Sequence, residues 1–550
     1  MKALQEALQL KSPILPRLFI QRNLRTSDEV KNFLNPSLED LHDPFIMKDM
    51  HQAVERIENA ILNQEKIMIY GDYDVDGTTS VSLVYLFLSQ LYNNIEYYIP
   101  NRYKEGYGIS IRGLDYANQQ GVKLIIALDC GIKAIDKVEY AKGLGIDMII
   151  CDHHLPGDKI PNAVAVLDPK VPGCEYPYKE LSGAAIGFKL CQAFASTKGI
   201  SKEQLYPFLD LVVVSLAADI VPLTGENRIL SYFGLKQLTE NPRPGLKSLI
   251  QLSGVKGRVT ISDIVFKIGP RINAAGRMED ATDAVKLLIG TANHDNRANA
   301  AVLQQHNDVR KDLDRDITEQ ALEMLRQEPG DNYSSVLHSQ DWHKGVIGIV
   351  ASRLIEQYYR PAVVLTGSGD SVSGSARSVR GFDLYEAIEA CSDLLHQFGG
   401  HKYAAGLTMS EENVPAFKER FEAIAREKIT EEMRTPIIEY DVNLPLAHAN
   451  YGLINKILRF EPFGPGNPKP IFLTQDMKTA CPPRVVGQTH LKVAFKQGFT
   501  RLNAIGFGLG EWASDLDFKQ IDALYTLEEN EWNNQKSLQM SLKDLKFSSQ

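Results

Sequence analysis

The run Ile67-Met68-Ile69-Tyr70-Gly71-Asp72-Tyr73-Asp74-Val75-Asp76-Gly77 carries most of the architectural information in this chain. Four apolar residues lead straight into three carboxylates at alternate positions and a glycine. A short, wholly apolar run bounded by polar residues reads as a strand buried on both faces. The same grammar recurs downstream. Leu124-Ile125-Ile126-Ala127-Leu128 runs into Asp129-Cys130-Gly131, and Met148-Ile149-Ile150-Cys151 into Asp152-His153-His154. Val164-Ala165-Val166-Leu167 runs into Asp168-Pro169, and a further apolar run over residues 211–218 ends in Asp219. Helical stretches over residues 80–91 and 135–144 separate the runs. Apolar strands alternating with helices predict an α/β fold built on a parallel sheet.

Ligands of an open parallel sheet bind beyond the carboxyl ends of its strands. The Asp and His residues at those ends are therefore expected to converge in one crevice. Several carboxylates so close would repel, and some would be forced to protonate. Divalent cations resolve the conflict, and oxygen donors with one or two imidazoles suit Mn²⁺ or Mg²⁺. Two such ions about 3.5–4 Å apart can activate a water and stabilise the leaving oxygen in phosphoester cleavage. An Asp-x-Asp-x-Asp-Gly segment also opens a calcium-binding EF-hand loop, which needs a Glu at its twelfth position. Counted from Asp72, that position is Leu83, and the segment follows a strand instead of a helix. A lone Asp after a strand is usually a turn or cap residue, and for Asp168 that alternative stays open.

With 550 residues the chain exceeds a single hydrophobic core, so three or four domains are expected. A hydrophobic share of 44% and a charged share of 23% are those of ordinary globular chains. The net charge of −9 does not settle the partner, because a basic footprint for nucleic acid need only be local. Cys130, Cys151, Cys174, Cys191, Cys391 and Cys481 are scattered without a CxxC pair. That pattern points to reduced thiols in a cytosol and away from zinc ribbons or disulfides. The first residues open a polar helix without the apolar core of a signal peptide, and no apolar run is of membrane-spanning length.

Residues 1–60 carry a Leu/Ile-rich helical pattern broken by Pro13, Pro16, Pro36 and Pro44. Residues 296–328 contain neither Gly nor Pro, and Val302, Val309, Leu313, Ile317 and Leu325 fall on one stripe before Pro329-Gly330. This predicts a helix of roughly 50 Å, long enough to bridge domains. Beyond it, Ala362-Val363-Val364-Leu365 and Gly-rich segments around Gly374 and Gly399-Gly400, read as loops, indicate a second α/β unit. Period-two alternation in Leu491-Lys492-Val493-Ala494-Phe495-Lys496, with Pro and Gly clustered between 462 and 470, predicts a small β-barrel or sandwich at the end. The expected division is a helical segment 1–60, a catalytic domain 61–290, a connecting helix 291–330, a second α/β domain 331–432 and a β-rich domain 433–550.

With Asp152-His153-His154 closing its third apolar strand, the chain resembles the DHH phosphoesterase superfamily. The resemblance extends along the chain through Ser182-Gly183-Ala184-Ala185, Ala217-Ala218-Asp219-Ile220-Val221-Pro222-Leu223, Gly269-Pro270-Arg271-Ile272-Asn273-Ala274-Ala275-Gly276-Arg277 and Gly399-Gly400-His401. It implies a DHH domain joined by the long helix to a DHHA1 substrate-binding domain, then a domain resembling an OB-fold barrel. It implies a two-metal site, Mn²⁺ preferred or Mg²⁺, with ligands Asp74, Asp76, Asp129, His153, His154 and Asp219. Asp72 is similar to an extra carboxylate of this branch; other members place a histidine four residues before the Asp pair, where this chain has Tyr70, and the resemblance implies that Asp72 substitutes for it as a metal ligand. The catalytic residues implied are His154, Asp129 and His153, with His154 near the scissile phosphate.

By the same resemblance, Arg102, Tyr107, Asn273 and Arg277 recognise a 5′ end, and Ser375, Arg377, Gly399, Gly400 and His401 contact DNA phosphates. Glycines admit backbone amides to phosphate oxygens, and arginine can grip them bidentately. The competing reading of any single Arg is a surface salt bridge. The implied activity is 5′ to 3′ exonucleolytic degradation of single-stranded DNA in repair and recombination. The OB-like domain would hold the strand by stacking and charge. The implied setting is a monomer in a bacterial cytoplasm, beside a single-strand-binding protein and a RecQ-type helicase and without a membrane. The alternative is a nano-RNA or cyclic-dinucleotide phosphodiesterase of the same superfamily, against which the insert around 225–280 and the β-rich tail argue. A non-enzymatic DNA-binding relative would have lost ligands that are all present in this chain.

Overall fold

The computed structural model describes residues 1–550 except 293, 294, 329, 517, 518, 533, 534, 549 and 550. The apolar runs form β1 (Lys66–Gly71), β2 (Ile95–Tyr98), β3 (Val122–Leu128), β4 (Asp147–Cys151) and β5 (Ala165–Leu167), a parallel sheet in the order β2-β1-β3-β4-β5. β1, β3, β4 and β5 are buried almost throughout, and the edge strand β2 is half-buried. Strand order reverses between β1 and β3, the switch point where sheets of this order take their ligands. Gly71 pairs with Leu128, so the segments following these two strands emerge side by side. The helix after β1 spans Val75–Ser89 and starts five residues before the 80–91 expected.

One apolar run is not a strand end. Residues 211–218 belong to the helix Leu209–Ala218, and Asp219 is its C-cap. A helix that is apolar all round is buried all round, and a short run of that kind cannot be told from a buried strand by periodicity.

The long helix spans Asn296–Gln327, 32 residues and roughly 48 Å. Glu328 already has extended backbone, and Pro329, expected to stop the helix, lies outside the described residues. The helix packs on Pro244–Leu252 and Gly269–Met278 of the first unit and on Ile347–Tyr358 of the second. That second unit holds β6 (Ser335–Ser339), β7 (Ala362–Ser368), β8 (Ser371–Arg377), β9 (Gln397–His401) and β10 (Ala404–Met409), in the order β6-β7-β8-β10-β9. Both Gly-rich segments expected as loops are strands: Gly374 lies in β8 and Gly399-Gly400 in the edge strand β9. Ladder pairing on both sides of β8 satisfies its backbone, which offsets glycine's weak strand preference.

The third sheet has seven strands. Phe472–Thr479 pairs with both Ile521–Trp532 and His490–Gln497, so the sheet curls into a barrel. The first 60 residues are divided between two cores. Leu4, Ile14, Leu18, Phe19 and Val30 share a core with Phe460, Phe472 and Tyr525 of the barrel region, whereas the helix Met50–Leu62 packs into the catalytic core. An apolar stripe says that a helix must be covered, but not by which partner.

Candidate metal centre

The ends of β1, β3 and β4 and of the helix Leu209–Ala218 build the centre from the switch point outward. The chain leaves β1 through Asp72 and enters the helix Val75–Ser89 with Asp74 as its N-cap, whose Oδ1 accepts from the Gly77 N–H at 3.0 Å. Asp76, in the first turn, is almost fully buried. Its carboxylate accepts from the N–H groups of Gly183 at 2.7 Å and Ala184 at 2.9 Å, and from Ser215 Oγ at 2.6 Å. Those amides open the helix Gly183–Thr197, where an anion is favoured. A Cβ on Gly183 would lie 2.7 Å from Asp129 Cβ, so this close approach requires glycine. Asp129 follows β3 with φ +59°, a region that Asp tolerates better than most residues. β4 delivers Asp152, His153 and His154.

His153 Nε2 lies 3.1 Å from Asp129 Oδ1 and 3.6 Å from both Asp76 Oδ2 and Asp219 Oδ2. Two donor sets result among the described residues, Asp129 with His153 and His154, and Asp76 with His153 and Asp219; within each set the ligand atoms lie within 4.8 Å of one another. Asp72 and Asp74 fall outside both sets but inside the same field. Burial, then Asp76, Asp74, Asp219 and Asp72, pushes the Asp129 carboxyl well above the usual range. Burial and Asp74 push Asp72 up, burial and Asp76 push Asp74 up, and burial with Asp76 and Asp74 takes Asp219 to about 8. Asp72 Oδ2 is buried without a hydrogen-bond partner. Carboxylates packed in this way must hold either protons or cations. Oxygen donors, a shared imidazole and an orphaned carboxylate oxygen fit a pair of hard divalent ions such as Mn²⁺ or Mg²⁺.

Asp152, which the sequence offers only as part of a motif, has a place of its own in the geometry of the centre. Burial alone would raise its carboxyl, but the hydrogen bond and charge of His154 and the amide of Ile132 outweigh it and hold it at about 2. Its Oδ1 lies 2.7 Å from His154 Nδ1 and its Oδ2 accepts from the Ile132 N–H at 2.9 Å. This fixes the ring so that Nε2 stands 3.2 Å from the Tyr107 hydroxyl. Burial would lower His154, yet Asp152 raises it to about 9. The spacing itself was the available signal, since an Asp two residues before a His can reach its Nδ1. Asp168, by contrast, caps a turn by accepting from the Lys170 N–H at 2.7 Å and belongs to neither donor set.

A second group of expected residues meets nearby. Arg102 and Tyr107 lie in the loop after β2, whereas Asn273 and Arg277 lie four apart on the helix Gly269–Met278, not in a loop. Ala404 pairs with Arg377 on one side and His401 on the other, and Gly406 pairs with Ser375 and Gly399. Paired residues share a sheet face, so Ser375, Arg377, Gly399 and His401 face one way and Gly400 the other. Burial, then the charges of Arg102, Arg377 and Arg310, takes the Arg277 guanidinium down to about 10. Burial, then Arg102, lowers Arg377. Among the described residues none of Arg102, Arg277 and Arg377 forms an ion pair with a carboxylate. Cations that converge without a direct ion-pair partner favour an anion between them. His343 and Lys344, both lowered by burial and then by Arg102, join this field and were not anticipated. Arg102 lies 5.1 Å from the Tyr73 ring, and Tyr73 meets Tyr107 edge-on, which ties the cationic group to the carboxylate centre.

Comparison with known proteins matches residues 66–216 to the DHH family, N-terminal domain, residues 332–427 to the DHHA1 domain and residues 440–544 to the RecJ OB domain. The single-stranded-DNA-specific exonuclease RecJ of Bacillus subtilis is 39% identical over 99% of this chain and 69% of its own length. The protein of the same name from Escherichia coli is 33% identical over 97% of this chain and 96% of its own. The chain belongs to the RecJ family. The crystal structure of RecJ in complex with Mn²⁺ from Thermus thermophilus superposes over 99% of this chain and 77% of that one, with a TM-score of 0.84 and 28% identity. In this RecJ-family chain the long helix falls between the first two matched segments, and Asp219 lies three residues beyond the first. Resemblance to RecJ proteins over essentially the whole length leaves the small-dinucleotide alternative without support. No helix among the described residues is long and apolar enough to cross a membrane.

Proposed function

We propose that this chain is a metal-dependent exonuclease specific for single-stranded DNA that works inward from a 5′ end. The observation that carries the reading is His153 Nε2 set 3.1–3.6 Å from three carboxylates of different elements, beside arginines that form no ion pair among the described residues. Asp72, Asp74, Asp76, Asp129, His153 and Asp219 hold two divalent cations, which when bound supply Lewis-acid activation of water and offset charge on the reacting phosphate, and His154 stands beside them at that phosphate. Asp152 keeps His154 protonated to about pH 9, so that Nε2–H can donate to a phosphate oxygen. Arg102, Asn273 and Arg277 take the terminal phosphate, while Ser375, Arg377 and His401 on the sheet face, with the amides of Gly399 and Gly400 on the edge strand, take those that follow. The barrel retains the strand through charge and stacking. On this reading the protein acts as a monomer in a bacterial cytoplasm, alongside a single-strand-binding protein and a RecQ-type helicase.

The test is an oligonucleotide labelled at either end, incubated with Mn²⁺ or Mg²⁺, against duplex and RNA of the same sequence. Stepwise release of 5′ nucleotides from single-stranded DNA is expected, and release from the 3′ end refutes the polarity. Asp129→Ala should bind the strand but not cut it, and an active variant would sink the ligand assignment.

A further inference from the structure

The segment that follows Asp219 is fastened to the barrel domain. We propose that the barrel's Gly464-Pro465-Gly466 turn is a positioning element for Asp219, acting through Leu223 and Ile220; the inference rests on Asp219 being a metal ligand. The Leu223 N–H donates to Pro465 O at 2.7 Å. One residue earlier, Pro222 O accepts from Tyr178 Oη and from Asn227 Nδ2, each at 3.0 Å. The contact is tight. A Cβ on Gly464 would lie 2.6 Å from Leu223 Cδ1, and one on Gly466 would lie 2.8 Å from Thr224 Cγ2. The turn itself is held from within its own domain. Gly464 and Asn467 exchange backbone hydrogen bonds at 3.0 Å, and buried Asn467 donates from Nδ2 to Phe460 O and Pro462 O at 2.8 Å.

Between these anchors and Asp219 stands Ile220, with φ +59° and 63% of its surface exposed. A β-branched residue keeps this backbone conformation only where its surroundings over-determine it. A side chain this exposed supplies little of that constraint through packing. The anchors at 222 and 223 supply it, one from the catalytic domain and one from the barrel. A glycine at 220 would flex and absorb movement of the anchors. Isoleucine makes the link stiff, so a displacement at Leu223 is passed to Asp219, whose Oδ2 must stay beside His153. The barrel then sets the second donor set as well as holding the strand.

The test uses the full-length chain and reads Mn²⁺ binding by calorimetry without DNA, melting temperature, and kcat and KM on single-stranded DNA. Gly464→Ala should weaken Mn²⁺ binding and lower kcat by about tenfold or more, the range for residues behind a metal ligand, with KM little changed. Adding Ile220→Gly should restore much of the Mn²⁺ affinity by decoupling the link. Leu223→Ala, which loosens the same contact from the other side, should weaken Mn²⁺ in the same direction and serves if Gly464→Ala fails to fold. A folded Gly464→Ala or Leu223→Ala chain with unchanged Mn²⁺ affinity, or a defect confined to KM, overturns the proposal. Asp219→Asn separates the two layers: normal Mn²⁺ affinity there removes the ligand reading, whereas a loss there with none in Gly464→Ala removes only the coupling.

Discussion

Single side chains in the centre were readable where each stood at the end of an apolar run, as Asp72, Asp74, Asp76, Asp129 and His153 do. What could not be read was which of them touch. Asp76 is held by amides of a helix more than 100 positions away, and Asp152 acts on the histidine two residues on, so neither role has a signature beyond residue type. Asp152→Asn keeps an acceptor but removes the charge. We expect activity or Mn²⁺ affinity to fall roughly 10- to 100-fold. The alkaline limb of the pH–rate profile should move down from about 9 toward the ordinary histidine range, and an unmoved limb would separate His154 from that limb. The same pKa displacements govern metal-free stability. Asp219, raised to about 8, and His154, raised to about 9, favour the folded state while protonated and lose that contribution as pH rises through those values. Asp152, lowered to about 2, matters only in strong acid. In chelator, the melting temperature should therefore drop between pH 7 and 9, and Mn²⁺ should abolish most of the drop by replacing the protons; scanning calorimetry at fixed ionic strength reads both.

Elements were recognised where period and flanking residues agreed, as for β1, β3 and β4. Two assignments differed for physical reasons. A ten-residue helix without a polar side looks like a strand to any pattern of hydrophobicity, and Leu209–Ala218 is such a helix. Glycine in a strand looks like a loop until a partner strand is known on each side, as for β8. The helix Gly183–Thr197 is the element on which the centre most depends, since its opening amides hold Asp76. Gly183→Ala places a methyl group against Asp129 and should push this helix end away. We expect a loss of kcat of roughly 10- to 100-fold, since both donor sets border the displaced helix end. Full activity in a folded variant would contradict the geometry of that approach.

Across the whole molecule, the order of three domains and the bridging helix followed from changes in texture along the chain, but the closure between its two ends did not. Arg228, buried in the helix Gly225–Glu240, is one fastening. It donates to Phe33 O at 3.0 Å and to Phe460 O at 2.7 Å, and its guanidinium stacks 3.8 Å from the Phe33 ring. Burial brings it down to about 10. Arg228→Ala removes the donor to Phe33 O, leaves Phe460 O with Asn467 alone, and should cost roughly 2–3 kcal/mol in denaturant titration. A loss below about 1 kcal/mol would mean that the ends are held elsewhere. The shared core of the first helices and the barrel also has a temporal side. On the ribosome, Leu18, Phe19 and Val30 are made more than 400 residues before Phe460, Phe472 and Tyr525, which share their core. The segment between them can settle during synthesis, but the early helices stay uncovered until the barrel has been made, so nascent chains should be most open to cleavage or capture at those helices.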